Sequence, residues 1–160
     1  MLRLSSLIAL ALTLAGSSAF AADRNVNVTW HWTWVPDHTV GISDTVFSDI
    51  GIVRGVADGD DGSHVAVICT NLDYPGGASA GSCLHTDADG DKWISSFTCT
   101  PNATALAGVL GSCSGTGEFN GGTGKFASAK ISSTFTPYVT DVLPDGSATG
   151  YTEEKQTIGD

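Results

Sequence analysis

Residues 25–35 read NVNVTWHWTWV, so Val26, Val28, Trp30, Trp32 and Trp34 occupy every second position. A strand turns alternate side chains to opposite faces, which sets three indoles on one face and Asn27, Thr29, His31 and Thr33 on the other. Indoles offer wide apolar surfaces and one N–H donor each, which suits them to holding an apolar or aromatic molecule. Packing a solid core is the plainer use of such a stripe.

The groups able to move protons or bind metal are fewer. His31 follows Trp30, and Asp37 precedes His38 in WVPDHTV, an arrangement that offers an acid–base or ligand pair on a loop. His64 and His85 lie in other strand-like runs. No spacing gathers three or four ligands, so no metal and no cofactor is expected. Asp87, Asp89 and Asp91 alternate in DADGDKW, as in a calcium loop, but Gly90 is fourth rather than sixth and Thr98 stands at the twelfth place. A hairpin turn explains the run. GTGEFNGGTGKF (115–126) lacks the Ser or Thr of a phosphate loop, since Phe126 follows Lys125. No G-x-S-x-G elbow is present, and no catalytic residue is assigned.

Four cysteines, Cys69, Cys83, Cys99 and Cys113, are spaced 14, 16 and 14 residues apart. Zinc sites usually pair cysteines about two to four residues apart, so two disulfides are the expectation, with all three connectivities open. The spacing matches a strand plus a turn.

Compartment and partners follow from composition. Arg3, the apolar run LIALALTLAG and the Ala19-Phe20-Ala21 site form a secretory signal over residues 1–21, shorter than the ~20 apolar residues that span a bilayer. Residues 22–160 then form one secreted or periplasmic domain. The chain's formal charge of −10 argues against nucleic acid and against anionic membrane surfaces as partners.

The elements that must position these groups are strands. Val, Thr and aromatic runs are punctuated by DGDDGS (58–63), DADGDK (87–92), NGGTG (120–124) and LPDGS (143–147), all sources of hairpin turns. Only PNATALAGVLG (101–111) has helical character, and the polar tail YTEEKQTIGD reads as a fraying end. Eight or nine antiparallel strands result, all-β, closed as a barrel or folded as a two-sheet sandwich.

CLHTDADGDKWISSF and GEFNGGTGKFASAKISSTF resemble secreted bacterial proteins of the allene oxide cyclase barrel-like and dirigent-like group. Gly121 to Ala127 match that group's G-G-T-G-K-[FY]-A motif, whereas Ser128, Ala129 and Ser132 depart from it. The resemblance spans about 50 residues and implies a single antiparallel eight-stranded barrel of the calycin or allene oxide cyclase type, with a lipophilic molecule in its cavity. The related barrels are often homo-oligomers, an expectation carried by resemblance alone. No cyclase or dirigent catalytic residue maps onto this chain.

Three functions follow. The first is a binding module in which Trp30, Trp32 and Trp34 hold an apolar or aromatic ligand, with His31 or Asp37 at the rim. The second is an isomerase or cyclase, needing an acid or base such as His31, His85 or Glu118 in the pocket. The third is a non-catalytic extracellular interaction protein with a solid core.

Overall fold

The structure, a computed structural model, describes residues 23–43, 46–103 and 106–159; the signal segment lies outside them. Eight strands run in chain order: β1 (Arg24–Ser43), β2 (Val46–Gly59), β3 (His64–Asp73), β4 (Ser79–Asp87), β5 (Lys92–Pro101), β6 (Gly111–Gly122), β7 (Lys130–Val142) and β8 (Ala148–Gly159). Each pairs antiparallel with the next, and β8 pairs with β1, closing the barrel. The sandwich alternative is set aside, and closure leaves no sheet edge unpaired.

Asp-Gly turns close the β2–β3, β4–β5 and β7–β8 hairpins, as expected. Gly90 takes φ +87° in the β4–β5 turn, where the Gly90 N–H donates to the Asp87 carbonyl at 3.1 Å. Three readings are corrected. Gly121 and Gly122 belong to β6 itself, and the connection to β7 contains a short 3₁₀ turn, Gly124–Phe126. The C-terminal segment does not fray among its described residues: it is β8, paired along its length with both β1 and β7. The described part of 101–111 forms turns and loop between β5 and β6 rather than helix.

The two ends of the barrel differ. At the end where β1 begins, Val26, Val28, Ala57, Val67, Cys69 and Cys83 form a buried cluster, with Val65 and Ile158 packed against it. Beside it His85 stacks on Trp93 at 4.6 Å, and Phe126 of the 3₁₀ turn meets Trp93 at 4.3 Å. The turn is held there by Lys125. Its ammonium lies 2.6 Å from Asp87 and 2.9 Å from Asp89, and its backbone N–H donates to Asp91 at 3.1 Å. The acidic run of the β4–β5 hairpin therefore grips the lysine of the glycine-rich run and closes this end.

Both disulfides join neighbouring strands across the inner face: Cys69–Cys83 links β3 to β4, and Cys99–Cys113 links β5 to β6. Nearer the other end, large side chains lie flat over glycines of the adjacent strand. Trp34 covers Gly51, Trp32 covers Gly150, Phe97 covers Gly81 and Phe135 covers Gly115. A Cβ on Gly51 or Gly115 would fall within the ring above it. Each ring thereby becomes wall, and the middle of the barrel stays hollow.

Two outcomes follow. Gly115→Ala must lift the Phe135 ring and should lower unfolding free energy by about 1–3 kcal/mol in denaturant titration, the usual cost of overpacking. Removing either disulfide as a Cys→Ser pair should cost about 3 kcal/mol, the loop-closure value for a cross-link of this length. Peptide mapping without reductant should return the 69–83 and 99–113 pairs.

Candidate binding cavity

The hollow is a cavity of about 510 Å³ that reaches the end opposite the 3₁₀ turn, where Gly77, Pro101 and Asn102 line its mouth. Its walls include Trp30, Trp32, Trp34, Phe97, Phe135 and both disulfides. The period-two pattern of β1 places the three indoles there, because Trp30, Trp32 and Trp34 alternate inward along one strand.

Their N–H groups are disposed differently. The Trp32 indole donates to the Thr152 hydroxyl at 3.0 Å. Those of Trp30 and Trp34 are buried without an acceptor, Trp34's lying against Gly51. Leaving such a donor unpaired costs about 1–3 kcal/mol. Burying a tryptophan's ~200 Å² contributes about 5 kcal/mol at ~25 cal/mol/Å², so ring packing decides the orientation.

The deeper lining is polar. His85, Ser95, Gly117, Ser133 and Glu154 come from β4, β5, β6, β7 and β8. His85 Nε2 and the Ser95 hydroxyl are hydrogen-bonded at 2.9 Å. Burial lowers the His85 pKa to about 4, so the imidazole is neutral at physiological pH. Burial raises the carboxyl of Glu154, and hydrogen bonds from Ser133 and Gln156 only partly offset this. Near the mouth Asp73 is also raised, chiefly by burial and further by Asp49, although Asn71 donates to it at 2.7 Å. Asp49 and Asp73 are direct cross-strand partners.

The other residues singled out by type and spacing fall elsewhere. His31 is exposed on the outer face of β1, its ring 6.4 Å from Tyr151, and lines only a shallow outer groove. Asp37 is the extra residue of a β-bulge between Pro36 and His38 and is exposed, as is His38. Glu118 is exposed on β6 and His64 on β3. Of the three acid–base candidates only His85 reaches the cavity. Glu154, Asp73, Ser95 and Ser133 were not anticipated. The available signal was the alternation Ala148, Gly150, Thr152, Glu154, Gln156, Ile158 in β8, whose polar members hid its inward face.

No family model, curated protein or solved structure matches this chain. The fold defines a closed eight-stranded antiparallel barrel with an aromatic-walled, acid-floored cavity.

His85 and Glu154 tilt stability in opposite directions. His85 has a folded pKa of about 4 against 6.5 when free, so its contribution is complete above pH 6.5 and is lost as pH falls towards 4. That loss amounts to about 3 kcal/mol at about 1.4 kcal/mol per unit. Glu154 is raised on folding, so the stability associated with its neutral form is lost as pH rises through its folded pKa. Denaturant titrations across pH should therefore show His85→Gln flattening the acid slope between about pH 4 and 6.5 relative to the parent. Glu154→Gln should flatten the opposing one.

Proposed function

We propose that this protein is a secreted barrel that holds an apolar or aromatic small molecule in its central cavity, in the manner expected of the allene oxide cyclase barrel-like and dirigent-like group. The observation that carries the proposal is the hollow itself: about 510 Å³ walled by Trp30, Trp32, Trp34, Phe97 and Phe135. Small-molecule sites typically occupy about 300–1,000 Å³ and are mostly apolar with a few polar groups, which is the make-up of this lining. A non-catalytic interaction protein with a solid core fits less well, because the rings lie against the wall and do not fill the lumen. Secretion is supported by the two disulfides, which persist in oxidising compartments.

An isomerase or cyclase is the second reading, and His85 with Glu154 favours it. Both groups line the cavity, His85 from β4 and Glu154 from β8, and a neutral imidazole together with a carboxyl whose hold on its proton burial strengthens offers a base and an acid. The binding reading is the more economical, since it needs no reacting partner for either group.

Purified protein should carry a co-purifying small molecule in native mass spectrometry, or shift its tryptophan emission when a neutral phenylnaphthylamine probe is added. Trp34→Leu and Phe135→Leu should each weaken that probe by about tenfold, through lost aromatic contact. Absence of bound mass together with absence of any emission response would reject the binding reading.

A further inference from the structure

We infer that the occupant of the cavity is an amphipathic amine, with its apolar body among the tryptophans and its protonated nitrogen against the carboxylate of Glu154. This rests on the binding reading and specifies the ligand's polar group.

Among the described residues the cavity lining contains two carboxyl side chains, Glu154 and Asp73, and neither lysine nor arginine. Its one other ionisable group, His85, is engaged with Ser95 and stacked on Trp93, and so supplies no positive charge to either carboxyl. Register fixes what surrounds Glu154. Val28 of β1 and Phe135 of β7 are its direct partners, Trp30 and Ser133 lie one inward step away, and Thr152 and Gln156 flank it on β8. None of these titrates. Glu154 is thus a carboxyl with two hydrogen-bond donors, Ser133 and Gln156, and no cation.

An ammonium group supplies the missing charge. It pairs with the carboxylate and gains further attraction from nearby aromatic faces, which draw cations to their π-clouds. The route inward favours it too, because Asp73 lines the cavity close to the mouth with Asp49 directly across from it. The chain's net charge of −10 raises the local concentration of cations. A fatty acid or other carboxylate would find no cation at either depth among the described lining residues.

The proton balance is simple. In the empty cavity burial favours the protonated carboxyl. An ammonium that binds displaces that proton to solvent, and a neutral amine accepts it; both routes end in the same ion pair. Amine affinity should therefore weaken as the solution is made more acidic.

The test uses three ligands with one hydrocarbon body, phenylbutylamine, phenylbutanol and phenylbutyrate, titrated calorimetrically into the full protein and into the near-isosteric Glu154→Gln variant. The amine should bind at least about tenfold more tightly than the alcohol, with the carboxylate weakest. In Glu154→Gln the amine should lose its advantage and bind no more tightly than the alcohol. If the alcohol or carboxylate binds as tightly as the amine, or the variant treats the amine as the parent does, the amine inference is overturned while the cavity stands. If none of the three binds, the binding reading falls and takes this inference with it.

Discussion

The architecture depends on one repeated contact, an aromatic ring laid over a glycine on the neighbouring strand. Trp34 on Gly51, Trp32 on Gly150, Phe97 on Gly81 and Phe135 on Gly115 each use the missing Cβ to lie against the sheet. An eight-stranded barrel is narrow enough for ordinary side chains to fill its interior. Four large rings standing upright would do so here. Laid flat, they give up some cross-lumen contact and gain close packing on backbone, with the hollow as the result. Glycine weakens a strand on its own, and an aromatic neighbour restores much of the loss by covering the exposed backbone. Aromatic and glycine therefore act as a unit, and neither position is interpretable alone.

A hollow barrel needs stiffening elsewhere, because an empty lumen forgoes the dispersion contacts of a packed core. The closed end provides part of it. Val26, Val28, Ala57 and Val67 pack with Cys69 and Cys83, and Phe126 is held on Trp93 by the 3₁₀ turn. Lys125 fixes that turn, and its ammonium also holds the carboxyl of Asp87 well below the usual carboxylate range. The ion pairs are partly exposed, so their direct electrostatic worth is small. Their larger effect is positional: they set where Phe126 lies. The disulfides complete the frame by tying β3 to β4 and β5 to β6, and both line the cavity.

How much of this was legible in the sequence depended on whether inward residues were apolar. In β1 the alternation of valine and tryptophan with small polar residues announces a strand and its buried face. The near-even cysteine spacing, that of a strand plus a turn, anticipated sulfurs on neighbouring strands, though not which strands. β8 defeated the same logic. Thr152 and Glu154 point inward as Val26 and Trp30 do, yet a pattern based on hydropathy scores them as solvent-facing. The strand that closes the barrel and supplies its deep carboxyl thus read as a polar tail. The β6–β7 connection was missed for a related reason: two successive glycines suggest a tight turn, but here they end a strand and let Phe126 approach its backbone. Strand alternation also sets His31 opposite the indoles, so the expectation of His31 as a pocket residue ran against the very pattern that places the tryptophans inward.

The polar floor is hard to explain as a stabilising device. A valine or leucine in place of Glu154 would remove a carboxyl that burial disfavours in its charged form and would add apolar contact to Val28 and Phe135. His85 presents a similar case, since its stacking on Trp93 would be available to a phenylalanine with no ionisable ring to bury. The other large inward side chains are wall or plug. The cavity thus combines an apolar shell that the fold requires with ionisable groups that it does not. Groups of that kind, held by neighbours such as Ser95, Ser133 and Gln156 at the bottom of a hollow, are where ligand recognition or chemistry is concentrated in proteins. The rings determine that there is a space, and Glu154 and His85 give its floor the polar groups on which the proposed binding reading draws.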